Sequence, residues 1–287
     1  MGSMLEISPH PVWVDALHGY IKPYWDELLD GQWARGVSNS NLTVPEMQGW
    51  MLQLYPFIHT FPKFLAEALT KVEDDYSRGF LIDNIRVEKA HAEHWIWMGE
   101  GFGLSRTDML DLVEGKKPIL GEVQSLTDWL WYINTKGSLA EAVAATSFAI
   151  EGATGDLSRK VINGFESYRD HEGVDMKPKT YKWMREHVQY DDEHPIIALE
   201  VVKKYATTEK LQAKVMIAAK RSVQLLHNAL ATSYKAYSVR DDGEDIAVTS
   251  DQRAYGQRAD RRASTMAISF PERRFGERRG RKCPVWA

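Results

Sequence analysis

The sequence predicts an all-α fold, a bundle of about eight helices, on three observations. Apolar and aromatic residues recur at helical spacing through most of the chain. Residues of the N-capping type precede those runs. No stretch alternates with the period of two that a half-buried strand needs, and no fixed-period repeat is present. Several long helices with short connections make a bundle around an apolar core.

The elements follow in order from Thr43, and none is assigned before it. Met47, Trp50, Met51, Leu54, Phe57, Ile58 and Phe61 keep helical spacing from Thr43 to Leu69, and Thr43 with Glu46 forms a capping-box pattern. A second helix runs from about Asp74 to Gly101, where Gly101-Phe102-Gly103 ends it. Ser105 and Asp108 open a short helix, and Ser125 with Asp128 caps the next. A long helix from Ser138 carries Leu139, Val143, Phe148 and Ile150. Pro178 begins a helix through Trp183 to Tyr190, Pro195 begins another, and the last spans Thr208 to about Tyr237.

After Tyr237 the periodicity stops. Residues 1–240 read as one helical domain, and 241–287 as an acidic linker followed by a basic, disordered tail. The charge divides at the same place. From Gln252 onward ten Lys and Arg stand against three acids, so the tail carries about +7 and residues 1–251 about −11 within a net charge of −4. The single cysteine, Cys283, lies in that tail, which excludes an intrachain disulfide or a zinc finger and predicts a cytoplasmic protein. Met1-Gly2-Ser3-Met4 reads as a cloning remnant, since no basic stretch precedes an apolar one as in a signal peptide. No apolar run is long enough to span a bilayer. An acidic body without a helix-turn-helix pattern argues against nucleic acid as a partner.

With no cysteine in the body, any metal there must be held by nitrogen and oxygen. Glu88 and His91 stand at i and i+3, within reach of a common ion. Glu-x-x-His is the unit that carboxylate-bridged di-metal bundles project inward, although such pairs also occur on solvated faces. His187, Asp191 and His194 stand at i, i+4 and i+7. On an unbroken helix they fall in one stripe roughly 60° wide, a geometry that Pro195 puts at risk. Arg185, Glu186, Asp192 and Glu193 around them give the alternative of a charged, solvated face. Glu151 follows the apolar run Ala142–Ile150, where a carboxylate must be paired or metal-bound, or else sits at the boundary and pairs with Arg159 or Lys160. Six N/O ligands without a thiolate suit two ions of iron, or manganese, better than structural zinc.

In these residues the sequence resembles the heme-oxygenase-like di-iron oxidases of the TenA/PqqC-like helical fold, over roughly residues 10–238. Relatives include the chlamydial CADD-type 4-aminobenzoate synthases and the UndA-type fatty-acid decarboxylases. That family's pattern is a Glu and a His on one helix, a lone Glu on a later one, then His-x3-Asp-x2-His. Here it falls on Glu88, His91, Glu151, His187, Asp191 and His194. Phe61-Pro62, Asp83-Asn84-Ile85 and Gly103-Leu104-Ser105 also agree. The Glu88–His91 interval is shorter than in CADD-type members. Some decarboxylases take a further Glu from the preceding helix, where this chain has Leu54 and Tyr55. TenA thiaminases use a catalytic cysteine that the body lacks.

The resemblance implies two Fe ions with O2 as co-substrate, acting on a small amino acid, amine or carboxylic acid. In CADD-type enzymes the protein's own tyrosine and a lysine supply ring and nitrogen, roles that fall here on Tyr24 and Lys160, with Tyr55 as a further pocket residue. His59 and His94 are expected to be packed histidines, and Trp95, Trp97, Trp129 and Trp131 core packing. Expected partners are the small-molecule substrate, an external electron donor and a second copy of the chain in a homodimer. The rival readings are a UndA-like decarboxylase, a mononuclear metal hydrolase and a non-catalytic TenA-like binding or regulatory protein.

Overall fold

Thr43 starts the helix on which the rest of the fold is built. Its hydroxyl accepts from the Glu46 amide while the Glu46 carboxylate accepts from the Thr43 amide at 2.8 Å, the reciprocal cap that the sequence predicts. In this computed structural model residues 7–189 and 193–237 are described, and among them there is no strand. The chain forms α1 (Val12–Leu29), α2 (Gln32–Ser38), α3 (Val44–Leu69), α4 (Asp75–Gly101), α5 (Arg106–Val113) and α6 (Gly121–Lys136). α7 is α-helical over Leu139–Val143, π-helical over Ala144–Phe148 and α-helical again over Ala149–Glu166. α8 (Lys182–Gln189), α9 (His194–Tyr205) and α10 (Glu209–Ser233) complete it.

α3 is apolar nearly all round and is buried accordingly, from Met47 through Trp50, Phe57 and Phe64 to Ala68. Burying each side chain of Leu or Phe size stabilises the fold by roughly 1.5–3 kcal/mol. The five-residue connection to α4 makes the two helices antiparallel neighbours. Gln48 donates to the Phe102 carbonyl at 2.6 Å and Trp95 to the Met51 carbonyl at 2.8 Å, which fixes their register. Asp74 caps α4 through the Ser77 amide, and Gly103, at φ +81°, ends it with the Leu104 amide returning to the Gly99 carbonyl. On the opposite side α10 packs against α1, α6 and the π-helical turn of α7. α2 lies on the back of α7, so close that a Cβ at Gly164 would stand 2.1 Å from the Val37 carbonyl oxygen.

The structure corrects three expectations. α1 and α2 are helices where none was assigned. α1 starts at Pro11 without a side-chain cap and contains Pro23, so its sequence carries no start signal. α6 begins at Gly121, four residues before the expected cap. Ser125 sits inside it and returns its hydroxyl to the Gly121 carbonyl at 2.7 Å. The long helix from Ser138 is interrupted by the π-helical turn. The linker and tail beyond Tyr237 lie outside the described residues. Among the described residues no helix is long and apolar enough to cross a membrane.

Candidate metal centre

Three buried donors meet between α4 and α8. One ligand atom each from Glu88, His91 and His187 lies within 4.8 Å of the others. Glu88 and His91 reach the same point because they are one turn apart on α4. His91 Nδ1 is 3.2 Å from Glu88 Oε1, and the rings of His91 and His187 are 4.3 Å apart. His187 Nδ1 is 2.7 Å from the Trp183 carbonyl, one turn back on α8. Donating that N–H fixes the tautomer in which Nε2 keeps its lone pair for a ligand.

A second pair completes the cluster. Glu151, on α7 just after the π-helical turn, accepts from Asn84 Nδ2 at 2.8 Å, and its other oxygen is 3.1 Å from His194 Nδ1. π-helical turns are concentrated at functional sites, and this one sets which face of α7 Glu151 occupies. Glu88, Glu151 and His187 wall one small cavity of about 20 Å³, lined further by Phe57, Ile58, Phe61, Ile150, Thr154 and Trp183. It has room for a water-sized group. His187 and His194 do not share one helical stripe. α8 ends at Gln189 and α9 starts at His194, with Pro195 in its first turn, so the two histidines come from separate helices. Asp191 lies outside the described residues.

The charges of these groups are strongly coupled. Burial pushes the Glu151 carboxyl up, the hydrogen bond from His194 opposes this, and the charge of Glu88 adds to it. Burial lowers His91, but the charge and hydrogen bond of Glu88, helped by Glu186 and Glu151, outweigh it and raise the ring. His194 is likewise raised against burial by Glu151 and Glu88. His187 is held well below its ordinary value by burial and by His91.

The sequence reading missed Glu186, which it named only as part of an alternative solvated face. Its Oε2 lies 3.6 Å from His91 Nε2 and 2.6 Å from His94 Nδ1. The latter contact is close enough for an ion pair but out of line for a hydrogen bond. Asn84 was noted only as a flanking residue, although its place one turn before Glu88 on α4 puts it on the same face. The three residues proposed as catalytic stand away from the cluster. Tyr24 is half-buried with its ring 5.3 Å from Lys220 Nζ, and Lys160 is exposed and pairs with Asp30 at 3.2 Å. Tyr55 is buried beside His59, and burial pushes its hydroxyl up to about 12. None of the three lines the cavity. His59 is packed, its Nδ1 buried without a partner.

Comparison with known proteins places this geometry. The profile of iron-containing redox enzymes matches residues 48–227, which hold every described donor of the cluster. The chain belongs to that family. Two relatives that the chain resembles are named 4-aminobenzoate synthases. The one from Chlamydia trachomatis is 26% identical over 166 residues, covering 57% of this chain and 66% of the relative. The one from Chlamydia muridarum is 25% identical, covering 57% and 65%. The chain thus spans just under two thirds of the length of these relatives. Among solved structures, a TenA homologue from Pseudomonas syringae pv. tomato is 27% identical with a TM-score of 0.71, covering 82% of this chain and 97% of that one. A heme-oxygenase-like domain of unknown function from Shewanella denitrificans is 18% identical with a TM-score of 0.68, covering 85% and 99%, and shows the shared fold.

Iron fits the donors present. Glu88 and Glu151 are buried carboxyls facing one cavity, and a cation between them would offset the cost of ionising both there. Imidazole and carboxylate without thiolate is a donor set suited to iron.

Proposed function

We propose that the chain is an O2-using non-heme di-iron oxidase acting on a small amino acid, amine or carboxylic acid, a reading supported by its likeness to two 4-aminobenzoate synthases. Glu88, His91, Glu151, His187 and His194 would hold the metal, with Asp191 joining them on its spacing from His187. The observation that carries this reading is the buried convergence of Glu88, His91 and His187 beside the Glu151–His194 pair. When bound, iron supplies the one-electron chemistry that couples O2 reduction to substrate oxidation.

The protein's own part is orientation and exclusion of water. The Trp183 carbonyl holds the His187 tautomer, Asn84 holds one oxygen of Glu151, and Phe57, Ile58 and Ile150 keep the cavity apolar. A surface groove of about 680 Å³ between α1, α7 and α9 backs onto the Glu151–His194 side, with Gly152 and Pro195 in its wall. Lys22, Asp26, Asp156 and Arg159 line it, charges of both signs that suit a zwitterionic or carboxylate substrate. With Lys160 on the surface and Tyr24 turned toward Lys220, the substrate in this reading is a bound small molecule and not a side chain of the protein. An external electron donor would be its redox partner.

Anaerobic Fe(II) loading followed by mixing with O2 tests the reading. The expected result is about two irons per chain and a transient visible absorption band. No iron uptake, or uptake unchanged in His187→Ala, would sink it. Manganese taken up in preference to iron would revise the metal.

A further inference from the structure

The rings leading away from His187 form an unbroken line. Trp183 lies over His187 with centroids 3.9 Å apart. Trp95 meets Trp183 edge-on at 4.6 Å, Trp50 meets Trp95 at 5.2 Å, and Trp33 lies 4.8 Å from Trp50. Four indoles on α8, α4, α3 and α2 therefore connect a ligand of the metal cluster to α2. There Gln32 and Arg35, flanking Trp33, are exposed.

Packing accounts for indoles in a core. It does not account for their N–H groups. Among the described residues Trp33, Trp50 and Trp183 find no hydrogen-bond partner for their buried Nε1 atoms, and a buried donor without a partner costs about 1–3 kcal/mol. Of the four, only Trp95 finds an acceptor among the described residues, the Met51 carbonyl at 2.8 Å. Indole is among the side chains most easily oxidised by one electron, and its radical cation is a strong acid through that N–H. With a base in line the proton leaves and the radical is trapped. Here three of the N–H groups face no basic side chain among the described residues and the fourth faces an amide carbonyl, which is too weak a base to take the proton. An oxidised indole in this line stays a cation and is refilled by its neighbour. The other wall of the cavity differs in kind. There Phe57 and Phe61 meet edge-to-face at 5.7 Å, with Phe64 behind Phe61 at 6.1 Å, and benzene rings resist the same oxidation.

We propose that Trp183, Trp95, Trp50 and Trp33 are an electron relay between the metal centre and the surface at α2. The proposal rests on the iron-oxidase reading. At each step one electron passes from an indole to its oxidised neighbour nearer His187, with no bond made or broken and no proton displaced. Trp33 is restored by a one-electron donor in solution, a reduced flavoprotein or iron–sulfur protein. The electrons end on O2, whose protons come from solvent. The line works in the same direction whether it supplies electrons for turnover or drains an oxidising equivalent when no substrate is bound.

The test uses the full chain, iron-loaded, with iron content measured on each sample. Mixed with O2 in the absence of substrate and freeze-quenched, the wild type is expected to give an organic radical in its EPR spectrum. The hyperfine structure should collapse when the protein is made with ring-deuterated tryptophan. Trp183→Phe should lose that radical, whereas Trp33→Phe should keep it. Reduction of the oxidised iron centre by a reduced flavoprotein, too large to enter the fold, should slow in Trp33→Phe and Trp50→Phe at unchanged iron content. These two variants are preferred because Trp95→Phe also removes the bond to Met51 and risks the fold. An iron-replete wild type without an indole radical, with unchanged reduction rates in both variants, overturns the relay and leaves the iron reading standing. A wild type that binds no iron overturns both.

Discussion

The two sides of the metal cluster are built in opposite ways. α4 delivers Glu88 and His91 from the middle of a 27-residue helix that is capped by Asp74 and closed by Gly103. The other side delivers His187 from the end of one short helix and His194 from the first residue of the next. On α4 the relative position of two ligands follows from helical geometry alone. His187 and His194 stand on two different helices, and each ring is held by its own partner, the Trp183 carbonyl one turn back for one and Glu151 on α7 for the other. One helix can thus place a pair of ligands unaided, whereas donors drawn from two helices are each fixed by a separate contact.

The largest expected effect separates the two sides directly. His91→Ala, which removes the imidazole facing both Glu88 and His187, should reduce bound iron to a trace. His194→Ala, which removes the partner of Glu151 only, should leave roughly half the wild-type content, one of two ions. Metal analysis after anaerobic loading reads both, and equal losses would break the distinction.

A smaller effect concerns the far end, where Asp74 ties the start of α4 to the end of α9. Its carboxylate accepts from the Tyr205 hydroxyl at 2.6 Å and pairs with Lys204 at 3.0 Å. Burial would raise it, but the hydrogen bonds from Tyr205, Ser77 and Lys204 prevail and hold it far below the ordinary carboxylate range. A folded-state value below the unfolded one gives stability that is complete above the unfolded value and is lost as pH falls through the folded one. Asp74→Asn keeps the cap and loses the charge. It should cost roughly 0.5–1 kcal/mol at neutral pH, since the pair is partly exposed. Urea titrations of the two proteins should converge only in strong acid, and a gap that ignores pH would remove Asp74 as an electrostatic tie.

The smallest effect is expected at the residues the structure sets apart. Lys160→Ala and Tyr24→Phe should leave iron content unchanged and stability within about 0.5 kcal/mol of wild type. Iron lost from either variant would mean that the groups act on the cluster after all.

How much of this was legible in the sequence follows the same contrast. The caps at Thr43 and Ser105 are local and were read correctly, as was the helix start at Ser138. So was the meeting of Glu88 with His91. The triplet from His187 to His194 was found by spacing, but its two histidines stand on α8 and α9, and spacing alone does not tell which helix a residue joins. Glu186 looked solvated because its neighbours are charged. What turns it inward is His94 on α4, distant in sequence. Gly164 against α2 and the unbonded indoles are long-range facts of the same sort, invisible to local patterns.

The π-helical turn at Ala144–Phe148 has a consequence for how such a site is inherited. Wider than an α-turn, it holds one residue more than the regular helix would, and one residue is worth about 100° of rotation to everything after it. The facing of Glu151 is therefore stored as a count, in a stretch whose individual side chains are mostly small. Point substitutions in Ala144–Phe148 can drift without turning the carboxylate away, whereas an insertion or deletion of a single codon re-aims it in one step. In lineages that share this fold, gain or loss of a ligand on this helix can thus come from a change in length, with the glutamate itself untouched.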